Sequence, residues 1–259
     1  MKKILITGAS SGIAASVVNK IKNIDNYYIY VTVRTNKQLE LVTKKYADYN
    51  NIECLKLDVT DDKDIENIKD LDIDILINNA AIGEGGSIAC INMDRLKKNF
   101  NVNVFGTIKL TQVVLKNMIN KGSGKIINIA SLGGVISLPF AGSYSATKAS
   151  IIKLSIALKN ELKLINKSIN VVLIEPGFYY TGFNQVILDN KYDDYNEYFN
   201  DCIDIIRKRE KIVLKLLEKK NLDSITNKIV KAIKLDNPKF IYRAPIFQSI
   251  GAKIYELFH

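Results

Sequence analysis

MKKILITGASSGIA, Met1 to Ala14, is the stretch that decides the fold. ILIT is a short unbroken apolar run, and TGASSGIA follows it without a linker. A strand over Lys3–Thr7 therefore turns straight into a helix that begins near Gly12. Gly8 permits the tight turn. Gly12 lets the main chain approach a pyrophosphate at the positive helix N-terminus. The spacing is GxxxGxA rather than GxGxxG. A glycine turn alone is a weak signal, because any strand–helix junction can use one. The apolar run is too short, and too soon broken by glycine, to be a secretory signal.

The same alternation continues downstream. Strand-like runs at Tyr28–Val33, Ile52–Leu57, Ile73–Asn78, Lys125–Ala130, Asn170–Ile174 and Phe240–Arg243 alternate with helical stretches. The helices are expected at Gly12–Ile24, Lys37–Tyr49, Asp61–Lys69, Met93–Lys121 and Tyr144–Leu164, with a helix-rich region from about Phe183 to Lys234. IDILIN and KIINIA are continuous Ile/Leu runs, the pattern of strands buried on both faces. The expectation is an α/β fold: a doubly wound, Rossmann-type parallel sheet of about seven strands with helices on both faces. Four prolines and no Pro/Gly/Ser-rich linker leave 1–259 as a single dinucleotide-binding domain. Residues 182–222 are expected to form a helical cover over the substrate.

Composition narrows the function. Hydrophobic residues make up 47% of the 259, enough for a substantial core, and the net charge is +10. The basic residues are mixed with 27 acids and carry no recognised motif, so no nucleic-acid partner is expected. The densest patch, RKREKIVLKLLEKK from Arg207 to Lys220, reads as a solvated helix face. Three cysteines without a CxxC pair indicate neither a disulfide framework nor a metal site, and Cys54 reads as core. The only histidine is His259, which excludes Ser–His and Cys–His mechanisms unless a terminus serves the site. No stretch reaches transmembrane length, and a cytoplasmic location is expected.

Two further motifs fall where strands end. NNAA, Asn78 to Ala81, closes the fourth strand on the side that faces the ligand crevice; alone it reads as a structural turn. YSATK places Tyr144 and Lys148 four apart on one helix face. A phenol is a poor proton donor or acceptor near neutral pH, and a neighbouring ammonium favours the phenolate. Ser131 follows the KIINIA strand, thirteen residues before Tyr144.

Together these residues resemble the short-chain dehydrogenase/reductase family, from Lys3 to about Thr181. The resemblance implies hydride transfer between a nicotinamide cofactor and a carbonyl or alcohol. It makes Tyr144 the general acid/base, with Lys148 holding the nicotinamide ribose and lowering the tyrosine pKa. Ser131 would orient the substrate carbonyl. Asn103, in NVNVFG, is similar to the fourth catalytic residue, which kinks its helix and holds a relay water. The implied cofactor contacts are Gly8, Ser10, Ser11, Gly12, Ile13, Arg34, Asp58, Val59, Asn79, Ala80, Tyr144, Lys148, Pro176, Gly177 and Thr181. Ala14 and Ala81 stand where the family carries glycine, and each adds one methyl only.

Val33 occupies the place of the family's NAD-type Asp, and Arg34 beside it suits a 2′-phosphate. NADP is therefore the implied cofactor, and NAD the other choice. Asp58 is either an adenine contact or a helix N-cap. Tyr179, Tyr180 and Phe183 are candidate substrate contacts; Tyr192, Tyr195, Tyr198 and Phe199 read as core. The resemblance implies a small-molecule carbonyl or alcohol as substrate. A 3-oxoacyl-acyl-carrier-protein reductase and a non-catalytic NADP-binding regulator are alternatives. A homodimer or homotetramer through Met93–Lys121 and Tyr144–Leu164 is expected, because the latter carries more apolar residues than one buried stripe needs. The tail's Ile246, Phe247, Ile250, Ile254 and Leu257 suggest a packed or interface helix, with a peripheral membrane contact as the other reading.

Overall fold

The computed structural model describes residues 1–165, 167–191 and 198–258; Tyr192, Tyr195 and His259 lie outside them. Seven parallel strands form one sheet in the order β3-β2-β1-β4-β5-β6-β7. They are β1 (Lys2–Ile6), β2 (Tyr27–Val33), β3 (Ile52–Lys56), β4 (Ile75–Asn78), β5 (Ser123–Ile129), β6 (Ser168–Pro176) and β7 (Ile241–Ala244). The helices are α1 (Gly12–Ile21), α2 (Asn36–Lys45), α3 (Asp62–Glu66), α4 (Met93–Phe100), α5 (Thr107–Lys121), α6 (Gly142–Leu164), α7 (Phe183–Asn190), α8 (Asn200–Leu217), α9 (Asp223–Lys234) and α10 (Ile246–Phe258).

Strand alternation sorts the core into two layers. Ile4, Ile6, Ile75 and Ile77 pack with α1 and α9 on one face of the sheet. Leu5, Leu76 and Ile126 pack with α5 on the other. Cys54, expected in the core, is half-buried at its edge and packs against the first layer. The strand order reverses between β1 and β4, which opens a crevice at their carboxyl ends.

The expected Met93–Lys121 helix is interrupted. Asn101–Gly106 forms a π-helical turn between α4 and α5. Such a bulge inserts extra backbone into the ladder and bends the helix. The NVNVFG stretch lies within it.

Candidate active site

At the end of β1 the chain makes its turn with Gly8 at φ +64° and Gly12 at φ +62°, a conformation that strains any residue with a Cβ. A Cβ on Gly8 would also lie 3.0 Å from the Ala80 main chain. Ser11 is the N-cap of α1, yet its side chain makes no bond back to the helix. The first-turn N–H groups are thus left for an anion, as a pyrophosphate cradle requires.

The NNAA turn holds this loop in place. Asn79 donates from Nδ2 to the carbonyls of Thr7 (3.0 Å) and Gly8 (3.2 Å), and Thr7 Oγ1 accepts from the N–H of Asn79 and of Ala80. Asn78 points the other way, donating to Thr111 Oγ1 and Asn128 Oδ1; Asn128 donates in turn to Ser155 Oγ of α6. A buried polar chain therefore ties β4, β5, α5 and α6 together beneath the crevice.

Ser131, Tyr144 and Lys148 line one cavity of about 1060 Å³ together with the glycine loop. Ser131 accepts from the Gly133 N–H at 3.0 Å. Burial pushes the Tyr144 phenol up to about 12, and its hydrogen bond with Ser131 draws it down only in part. Lys148 Nζ lies 5.8 Å from the centre of the Tyr144 ring and donates to the Ile129 carbonyl at 2.9 Å. Burial pulls this amine down to about 8. In the protein alone the phenol is therefore raised rather than lowered: burial dominates and only the Ser131 hydrogen bond opposes it.

Asn103 is buried and is not on the cavity wall. Its side chain makes a two-point clamp on Ile82, accepting from Ile82 N–H (2.8 Å) and donating to Ile82 O (2.9 Å) and Thr147 Oγ1 (3.0 Å). One turn earlier Asn99 repeats the device. It accepts from Glu84 N–H (3.0 Å) and donates to Glu84 O and Ser143 Oγ, both at 2.7 Å. Ser143 and Thr147 immediately precede Tyr144 and Lys148. The two amides lock the loop after β4 to the helix carrying the reactive pair. Sequence reasoning missed Asn99, Ser143 and Thr147; the matched i,i+4 spacing of 99/103 and 143/147 was the available signal.

All the other expected cofactor contacts line the cavity. Arg34 is exposed at its rim, whereas Val33 is packed in the core. Arg34 thus borders the cavity directly, and Val33 does not. Asp58 is no helix cap: Asp61 caps α3, while Asp58 Oδ1 accepts from Thr60 N–H and Oγ1 beside the cavity. Phe183 is a wall residue, its ring 5.5 Å from that of Tyr144. Tyr179 also borders the cavity, but it is buried in the core with its hydroxyl against Ser224 Oγ at 2.7 Å. Tyr180 is exposed and does not line the cavity. Tyr198 is likewise exposed rather than core, and Phe199 packs edge-on against Phe140.

Comparison with known proteins identifies the family. A 3-ketodihydrosphingosine reductase of Bacteroides thetaiotaomicron is 33% identical over 218 residues, 80% of this chain and 77% of the relative. An NADPH-dependent 3-dehydrocapnine reductase of Ornithobacterium rhinotracheale is 32% identical over 189 residues, 68% of this chain and 65% of the relative. The crystal structure of a short-chain dehydrogenase from Streptomyces avermitilis superposes with a TM-score of 0.79 at 25% identity, covering 100% of this chain and 91% of that one. Residues 2–191 match the family model for short chain dehydrogenases, and the chain belongs to that family of NAD(P)-binding oxidoreductases.

Proposed function

We propose that the protein is an NADPH-dependent reductase that converts a ketone or aldehyde into an alcohol, with Tyr144 as the proton donor. The observation that carries this reading is the Ser131–Tyr144–Lys148 group on one wall with the glycine loop. The bound dinucleotide would supply the hydride. Held at a pKa of about 12, Tyr144 is fully protonated at neutral pH, and an alkoxide forming beside it is more basic still. Ser131 would hold the carbonyl oxygen against that hydroxyl. Lys148 would bind ribose and stabilise negative charge as the proton leaves. Asn103 and Asn99 would position the helix rather than touch substrate.

NADPH is favoured by Arg34 at the rim and by the absence of an acid at the end of β2. The substrate end of the cavity is apolar, with Leu138, Val186, Ile187, Leu214 and Leu217 on its walls. A ketone carried on an apolar body fits it, in keeping with relatives named for reducing keto and dehydro compounds. The enzyme is proposed to act in the cytoplasm as a homodimer or homotetramer, with Leu154 exposed on α6 for that contact. No helix among the described residues is long and apolar enough to cross a membrane.

The test is NADPH consumption against a panel of ketones, aldehydes and 3-oxoacyl thioesters, with NADH in parallel. Charge-assisted bonds to a 2′-phosphate are worth roughly 10–150-fold in affinity, so Arg34→Ala should weaken NADPH by that factor and leave NADH nearly unchanged. A wild-type preference for NADH, or an unchanged ratio in Arg34→Ala, sinks the cofactor assignment.

A further inference from the structure

Helix α10 is built the wrong way round for a helix packed by its apolar stripe. Its buried residues are Ser249 and Ala252, both small. Its large apolar residues, Ile246, Phe247, Ile250, Ile254, Leu257 and Phe258, are 48–81% exposed. Polar groups hold it in this orientation. Arg243 of β7 makes a bidentate pair with Glu256 at 2.8 and 2.9 Å, and also pairs with the fully buried Glu175. Gln248 accepts from the Phe178 N–H and donates to the Leu217 carbonyl, both at 2.8 Å. The apolar face is therefore presented outward by design of the polar one.

The end of α8 adjoins it. Lys219, just beyond that end, places its Nζ 5.3 Å from the centre of the Phe247 ring. On α8, Ile205, Ile212 and Leu216 share one face and are 53%, 59% and 75% exposed. Exposed Lys208 and Lys215 flank that stripe on one side, with Asp201 and Asp204 one turn earlier, and Arg209 lies on the other. The region read from sequence as a solvated basic face thus carries an apolar stripe inside its charges. Val213 and Phe247 belong both to this surface and to the wall of the reaction cavity, so the patch borders the cavity.

We propose that the outer faces of α8 and α10 dock onto an anionic lipid bilayer, with the cavity mouth turned toward it, so that an amphiphilic ketone enters from the membrane. The docking stands on the surface itself; only the route of the substrate rests on the reductase reading. A basic rim around an apolar centre complements anionic headgroups over acyl chains. A second copy of the chain fits less well, because a two-fold contact through this face would set its lysines and arginines against themselves.

The experiment is flotation with vesicles of phosphatidylcholine containing about one-third phosphatidylglycerol, and of phosphatidylcholine alone. The wild type should float with the anionic vesicles at least about tenfold more than with the neutral ones, and high salt should weaken this. Ile250→Glu with Leu257→Glu, and separately Lys208→Glu with Lys215→Glu, should each reduce anionic binding by about tenfold or more. Both double variants should keep NADPH binding and reduction of a small water-soluble ketone. If the apolar pair of changes unfolds the protein, seen as lost NADPH binding, the exposed lysine pair decides. Wild type that stays off both vesicles overturns the proposal. So does self-association by light scattering that Ile250→Glu with Leu257→Glu disperses, which would assign the face to a second copy. Vesicle binding without reduction of any ketone would leave docking standing and remove the reductase reading.

Discussion

Strand β5 has a buried amine at each end, and the two lysines differ in what their protons meet. Near its start, Lys125 donates to the carbonyls of Ala232 (2.7 Å), Ile233 (2.9 Å) and Leu235 (2.6 Å), at the C-terminus of α9. Just past its end, Lys148 donates to the carbonyl of Ile129 and otherwise faces the cavity. Burial pulls both amines down to about 8. Lys125 nevertheless has three acceptors placed for three ammonium protons, which a neutral amine could not fill. Its site is built for the cation, as a cap on a helix whose last carbonyls lack partners. Lys148 donates to one carbonyl and otherwise borders the cavity, where the proposed function would put a ribose and a reacting oxygen. A buried cation that is fully satisfied is architecture; one left partly unsatisfied on a cavity wall is equipped for chemistry.

Substitutions should separate the two ends by what they damage. The largest effect is expected at the cavity: Tyr144→Phe should lower kcat by about 10²–10⁴-fold while leaving NADPH binding nearly intact. Retained turnover in that variant would take the tyrosine out of its role. At the other end, Lys125→Met should leave kcat unchanged per folded molecule. It should cost about 3 kcal/mol of stability, a fall in Tm of roughly 6–12 °C, because three buried carbonyls lose a charged donor. An unaltered melting curve would break the comparison from the structural side.

A pH profile sharpens it further. With Tyr144 at about 12 and Lys148 at about 8, the free enzyme keeps its proton donor but loses its ammonium as pH rises. Reduction measured as kcat/KM should therefore fall about tenfold per pH unit above pH 8. Lys148→Arg, which stays charged, should lack that limb whatever its absolute rate. A limb that persists in the arginine variant belongs to another group. The smallest effect is expected one layer out. Asn99→Ala should lower kcat by about tenfold with NADPH affinity unchanged, since the loop at Glu84 and the helix at Ser143 lose a shared anchor. Ser143→Ala should reproduce part of that loss, whereas a purely structural asparagine would shift Tm and leave kcat alone.

The sequence by itself determined the sheet, the glycine turn and the Ser131–Tyr144–Lys148 group. Those signals are local: an apolar run of a given length, a glycine at a φ other residues avoid, two residues one helical turn apart. The family resemblance, not the local pattern, marked a kink at Asn103, which lies within the π turn. Tertiary structure alone decided which way side chains near element ends face. It buried Val33 and left Arg34 at the rim, gave the α3 cap to Asp61 instead of Asp58, and turned Tyr179 toward Ser224. It paired Asn99 with Ser143 across 44 residues of chain. It also left the apolar face of α10 outside. An amphipathic pattern says that two faces differ; only the partners in space, Arg243 for Glu256 and Leu217 for Gln248, settle which of them is turned inward.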